Sequence, residues 1–309
     1  MIYYGKSYGT CGEFVQGNID DCEYISSYKI DRYSYAFLEE QSSDKFTYDL
    51  RYQKSLKAIY KVLDYFNLDK GILKNLSLKI HSNIKIGKGM SSSSADITAS
   101  IYAILNYLNK ELDYDILSKL ICEIEPSDPV YMNQNIIFDS INGNIKEYLG
   151  LIEGFKIILL EPKNTFDTLN LRKKKDYKII RKRNEKYTKK AFMDLKRGFN
   201  ESNLKLIGQA SIESAFLNQD ILYKNKLDEI LKLSKEIDCY GFNIAHSGTV
   251  IGFLVHEDFD TQDMKKIIRK NKELDMYKNI EELNLINKGA SAGIIKEGGG
   301  LYELYKNTK

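Results

Sequence analysis

Over residues 52–66, Leu56, Ile59, Tyr60, Leu63 and Phe66 recur at helical spacing, and the single apolar stripe they make predicts an amphipathic helix. The period then changes. Leu76, Leu78 and Ile80 alternate with Ser77, Lys79 and His81, the pattern of a half-buried strand. Helical spacing returns at Ile97, Ile101, Ile104, Leu105 and Leu108, and again over 113–125 with Leu117, Leu120, Ile121 and Ile124 on one face. Pro126 closes that second helix, because proline disfavours helical geometry in the residue before it. Farther along, Phe155 to Leu160 reads as an apolar strand, 203–217 and 226–237 as helices, and Val250 to Val255 as a buried strand. Residues 1–40 read as short strands and turns, with Tyr, Ile and Phe among polar residues over 24–38 consistent with strands. Within them Gly9, Gly12 and Gly17 surround Glu13 and Gln16, a composition that predicts a loop where backbone approaches a ligand. Composition shifts over 161–190, which predicts the entry to a second domain.

Between the strand at 76–81 and the helix that follows lies Gly87-Lys88-Gly89-Met90-Ser91-Ser92-Ser93-Ser94-Ala95. A glycine-rich loop that opens a helix suits phosphate. Glycine lets backbone N–H groups come close to an anion, and the unpaired N–H groups of the first turn face it. Serine hydroxyls add donors to phosphate oxygens and can ligate Mg²⁺. A flexible serine linker would have disordered flanks, whereas this run is flanked by a strand and an amphipathic helix. The other common phosphate loop, GxxxxGK[ST], is absent, since Lys88 falls between two glycines.

The bulk properties narrow the partners. The chain has 309 residues, enough for two domains, and Lys+Arg 46 against Asp+Glu 43 leaves +3, too near balance to point to nucleic acid or a membrane surface. The run from Arg172 to Lys190 is locally basic and reads as a solvated surface segment. Cys11, Cys22, Cys122 and Cys239 show no CxxC pairing and His81, His246 and His256 are scattered, so no structural zinc site is expected. The N-terminal Met1-Ile2-Tyr3-Tyr4-Gly5-Lys6 lacks the apolar core of a signal peptide, and no long apolar run is present. The expectation is a cytoplasmic, soluble protein. Gly298-Gly299-Gly300 reads as a turn with no helix behind it.

Residues 87–95 resemble the GxGLGSSxA loop of the GHMP kinases, with Met90 at the leucine position and Ser91 at the third glycine, where a Cβ must be accommodated. Thr10-Cys11-Gly12-Glu13-Phe14-Val15-Gln16-Gly17, Ile124-Glu125-Pro126-Ser127-Asp128 and Ala245-His246-Ser247-Gly248-Thr249-Val250 extend the likeness to the PduX-type L-threonine kinases of cobalamin synthesis, with weaker support from Leu217-Asn218-Gln219. The resemblance implies that Gly87, Lys88, Gly89, Met90, Ser91, Ser92, Ser93 and Ser94 bind the nucleotide, with Ser92 and Ser93 on the phosphates. It implies that Ser93 and Glu125 hold Mg²⁺, with Glu123 as a substitute for Glu125, and that Asp128 deprotonates or positions the acceptor hydroxyl. Two acids near a helix end are otherwise commonly just solvated.

Glu13 and Gln16 are candidates to face the acceptor's ammonium and hydroxyl, with a hydrogen-bonded turn as the alternative. Asp31 is a further candidate for the substrate pocket. His246, Ser247 and Gly248 resemble the glycine-containing loop folded over the site, where His246 acts as a hydrogen-bond donor more readily than as a base. Cys11 reads as a small buried residue.

The implied fold is α+β, the two-domain GHMP kinase fold, with a ribosomal-protein-S5-like N-terminal nucleotide-binding domain (1–160) and a ferredoxin-like α/β-sandwich C-terminal domain (161–309). The implied reaction is transfer of the ATP γ-phosphate to the side-chain hydroxyl of L-threonine for cobalamin nucleotide-loop biosynthesis. The alternatives are another small alcohol such as homoserine, or a non-catalytic GHMP-like ligand-binding protein.

Overall fold

The computed structural model describes residues 1–162, 176–277, 279–295 and 299–306. Residues 1–40 are not short strands and turns but two long ones. β1 (Ile2–Ile19) and β2 (Cys22–Glu40) form an antiparallel hairpin. Its turn residues Asp20 and Asp21 both have positive φ, at 49° and 64°, the geometry a two-residue hairpin turn requires and a short aspartate side chain tolerates. The middle of the hairpin is covered on both faces, so the alternation that reveals a half-buried strand is missing. The glycine-rich stretch 9–17, expected as a loop, lies inside β1. Register shifts there interrupt the pairing with β2, a feature common beside functional sites. Gly12 has φ of +71°, and a Cβ on it would stand 2.5 Å from the carbonyl oxygen of Ile244, so glycine serves close strand approach.

Chain order continues with β3 (Thr47–Tyr48), α1 (Gln53–Tyr65), β4 (Leu76–Ser82), α2 (Ser92–Leu108) and α3 (Tyr114–Cys122). The hairpin β5 (Asn135–Asp139) and β6 (Asn144–Gly150) follows, then β7 (Lys156–Glu161). Beyond them come α4 (Tyr177–Asn200), α5 (Leu204–Leu217), α6 (Leu227–Glu236), β8 (Gly241–Ile244), β9 (Ile251–Val255) and α7 (Thr261–Lys270). The last elements are β10 (Asn279–Leu283), β11 (Leu285–Ile286), β12 (Ser291–Ile294) and α8 (Gly300–Lys306). One continuous sheet runs in the order β10-β7-β9-β8-β1-β2-β4-β3, with β5 and β11 also on β2 and β12 on β1. Its β1–β2–β4 half carries α1, α2 and α3 over a core that includes Leu38, Ile59, Leu63, Ile101 and Phe138. Its β7–β10 half packs against α5, α6 and α7 through Ile158, Phe242, Phe253 and Ile230. Glu161, at the expected domain boundary, is the last residue of β7, which pairs with β9 and β10.

Two other expectations change. From residue 177 the basic run is helical: α4 buries Tyr177, Arg181, Asn184, Thr188, Phe192 and Leu195 on one face, so it is solvated on its other side only. Polar residues on the buried face hid its apolar stripe. Arg172 to Lys175 and Gly298 lie outside the described residues. A short helix, α8, does stand behind the final glycines. The C-terminal stretch returns to the hairpin, as Leu285 pairs with Ile30 and Ile294 with Tyr3.

Candidate active site

The phosphate-loop run turns between β4 and α2 through three left-handed residues: Gly87 (φ 72°), Gly89 (φ 80°) and Ser91 (φ 57°). For Ser91 that conformation costs about 1–2 kcal/mol relative to an ordinary one. Its hydroxyl lies 2.6 Å from Thr10 Oγ1 and donates to Asp128 Oδ2 at 2.7 Å, so the strained residue is held from both sides. A serine in this position normally caps its own helix, but Ser91 makes no such bond. With the hydroxyl drawn away, the first N–H groups of α2 remain available to an anion, where the helix dipole also favours negative charge. The loop is pinned by Thr10 N–H to the Met90 carbonyl at 3.1 Å, and by Thr249 N–H to the Lys88 carbonyl at 3.0 Å.

A cavity of about 270 Å³ opens in front of this helix end, lined by Glu13, Gly87, Gly89, Met90, Ser91–Ser94, Glu125, Pro126, Asp128 and Ser247. Eleven of the residues expected from the sequence as metal, nucleotide, substrate or catalytic groups therefore meet at one place, although they come from four separate segments. Lys88 does not face it. Its ammonium turns back to the Pro162 carbonyl (2.9 Å) and Glu161 (3.2 Å), an anchor for the loop. Gly248 packs beneath the loop: a Cβ on Gly89 would stand 2.8 Å from Gly248 Cα.

On the acidic side, Ser93 Oγ donates to Glu125 Oε1, and Glu125 Oε2 accepts from Lys54 Nζ at 2.5 Å. Lys54, in the first turn of α1, was not singled out in the sequence, where it is one lysine among many on a polar helix face. Asp128 is also bound through its N–H to Ser94 Oγ at 3.3 Å. Glu123 pairs with Lys61 on the surface and does not line the cavity. Asp96, one turn into α2, accepts from Ser34 Oγ at 2.5 Å. Burial pushes its carboxyl up to about 6, with the Glu125 charge adding to the rise and the Ser34 bond opposing it.

On the opposite side, Glu13 is buried and its Oε2 accepts both the backbone N–H of His246 (3.0 Å) and its ring Nδ1–H (2.9 Å). His246 Nε2 then meets Ser214 Oγ at 2.9 Å, and Ser214 Oγ accepts Gln16 N–H at 3.0 Å. With both ring nitrogens engaged and 1% exposure, His246 orients Glu13 and does not face the cavity as a base. Ser214, within α5, carried no sequence signal. The Gln16 side chain bonds Glu23 at 2.8 Å and Asp31 bonds Asn284 at 2.7 Å; neither lines the cavity. Cys11 is fully buried, with its thiol pushed up to about 12 by burial.

The site carries an oxygen-only donor set suited to a hard cation. Ser93 and Glu125 are already joined to each other and to the ammonium of Lys54, so the pair faces positive charge. Among the described residues no group of three or more His, Cys, Asp or Glu could hold a metal alone.

Residues 54–134 match the family model described as GHMP kinases N terminal domain. The chain is 27% identical to an L-threonine kinase of Citrobacter freundii, over 87% of this chain and 91% of that protein. It is 28% identical to an L-threonine kinase of Salmonella typhimurium, over 80% of each. Among solved structures it superposes on a putative homoserine kinase from Listeria monocytogenes with a TM-score of 0.66 at 14% identity, over 96% of this chain and 100% of that one. On a mevalonate kinase the TM-score is 0.64 at 17% identity, over 93% and 100%. The fold is that of the GHMP kinases.

Proposed function

We propose that this chain, with the GHMP kinase fold and a GHMP kinase N-terminal domain, is an ATP-dependent kinase that phosphorylates the side-chain hydroxyl of L-threonine to O-phospho-L-threonine. The observation that carries the reading is the uncapped N-terminus of α2 with Asp128 hydrogen-bonded to Ser91 in the same cavity. The open N–H groups of α2 and the hydroxyls of Ser92 and Ser93 hold the ATP phosphates. Ser93 and Glu125 hold Mg²⁺, which when bound neutralises charge on those phosphates.

Asp128 receives the proton of the acceptor hydroxyl as its oxygen attacks the γ-phosphorus and the bond to the β–γ bridging oxygen breaks. Ser91 fixes the orientation of that carboxylate, and positioning of this kind supplies much of the rate in phosphoryl transfer. Glu13, held by His246, faces the acceptor's ammonium.

No helix among the described residues is long and apolar enough to cross a membrane. The four cysteines are free, which suits the reducing cytoplasm. The family resemblance extends the proposal to a role in cobalamin nucleotide-loop assembly.

A coupled ADP-release assay with L-threonine, L-serine and L-homoserine tests the acceptor. The expected result is fastest turnover with L-threonine; turnover no faster than the no-acceptor background would sink the assignment.

A further inference from the structure

Behind the turn at 245–249 lies a buried cation that the mechanism above leaves unused. Lys224, in the connection between α5 and α6, is only 4% exposed, and its ammonium donates to the carbonyl of Gly248. That carbonyl directly follows Ser247, which lines the cavity. The remaining donors of the ammonium find no acceptor, and no carboxylate pairs with it, among the described residues. Buried charges are as a rule paired, and burial draws this lysine down to about 8, with the Glu13 charge acting against that shift. Glu13 is the complementary half. Its Oε2 is committed to His246, while its Oε1 makes no hydrogen bond among the described residues and Glu13 borders the cavity. Both groups are bonded to the same turn, Glu13 through the His246 N–H and Lys224 through the Gly248 carbonyl, and one carboxylate with an open oxygen and one ammonium with open donors there complement the two ends of a zwitterion.

We propose that Lys224 determines acceptor specificity by taking the α-carboxylate of the amino acid while Glu13 takes its α-ammonium, an assignment that rests on reading the chain as an amino-acid kinase. An amino alcohol without a carboxylate leaves the ammonium buried and unpaired, and sites built to pair a polar group reject analogues that lack it. The rival role is structural, with Lys224 merely tying the α5–α6 connection to the turn beneath Gly89.

The two are separated by kinetics of wild type, Lys224→Met and Lys224→Arg with L-threonine and with 1-amino-2-propanol, which is threonine without its carboxylate. Lys224→Met is expected to lose about 10²- to 10³-fold in kcat/KM for threonine, through KM, with 1-amino-2-propanol turnover raised because no unpaired ammonium is left, the KM for ATP unchanged, and partial rescue by Lys224→Arg for threonine. Equal losses on both acceptors, or a raised KM for ATP, would overturn the proposal in favour of the structural tie.

The acceptor assignment fails separately. If L-serine or L-homoserine is the true substrate, the same comparison with ethanolamine or 3-amino-1-propanol decides on Lys224. A wild-type preference for the amine lacking the carboxylate overturns it. If no acceptor turns over, the kinase reading fails, and calorimetric titration with L-threonine still decides. Binding weakened by Lys224→Met supports the carboxylate contact; binding that is absent or unchanged overturns it.

Discussion

The two walls of the cavity are built on different principles. The phosphate-loop wall is mostly backbone: left-handed residues at 87, 89 and 91, an uncapped helix end and a row of short serine side chains from one stretch of sequence. The Glu13 wall is side chains wired together, from Glu13 through His246 to Ser214, contributed by β1, the turn after β8 and α5. A backbone wall suits phosphate, whose oxygens accept N–H donors from many directions. A wired wall suits a small acceptor, where a few fixed groups must tell one molecule from another. Asp128 belongs to the first wall through Ser91 and Ser94, yet in the proposed reaction the acceptor hydroxyl must reach it.

The largest expected effect comes from cutting that link. Asp128→Asn keeps the shape and an acceptor for the Ser91 hydroxyl but removes the negative charge. Turnover should fall about 10²- to 10⁴-fold, with the KM for ATP little changed, in steady-state assays. A fall of less than about threefold would mean that Asp128 takes no proton and that the walls act independently.

Gly89→Ala attacks the seam between the walls. A Cβ there would lie 2.3 Å from the Ala245 Cβ, at φ of +80°, so either the phosphate loop or the 245–249 turn must shift. Strain and overpacking together should lower stability by about 3 kcal/mol in urea unfolding and raise the KM of ATP and of acceptor together. A change confined to ATP would show that the turn does not transmit the disturbance.

The same contrast explains what could be read from sequence. The phosphate loop was legible because its chemistry is contiguous and sits between two elements of clear period. Most of the other wall's partners were not. Ser214 looks like any serine in an apolar helix, and His246 reads as a loop residue until Glu13 is seen beside it. Glu13 and Gln16 share one motif, but the irregular pairing of β1 sends only Glu13 to the cavity and leaves Gln16 on Glu23. In the fold, the amphipathic helices and the half-buried β4 were plain. The β1–β2 hairpin was hidden because burial on both faces leaves no alternation, and α4 because its buried face carries Arg181, Asn184 and Thr188.

The smallest effect concerns a carboxylate in α2, behind the backbone wall and outside the cavity lining. Glu13 is buried with two N–H donors on one oxygen, whereas Asp96 is half-buried with one hydroxyl from Ser34 and lies in the field of Glu125. Burial lifts its carboxyl to about 6 in the folded protein, against about 3.9 in an unfolded chain. The folded state therefore binds this proton more tightly, and the ionised form destabilises the fold. Below about pH 4 both states are protonated and the destabilisation vanishes; it grows between pH 4 and 6 and is complete above about 6. At 1.36 kcal/mol per unit, that amounts to about 2–3 kcal/mol at neutral pH. Asp96→Asn keeps an acceptor for Ser34 and cannot ionise, so it should be more stable than wild type by roughly that amount at pH 7 and equal to it near pH 4. Urea unfolding across that range, without nucleotide or divalent cation, measures the difference. A gain that is the same at pH 4 and pH 7 would show that side-chain packing, and not the buried charge, sets the stability of this wall.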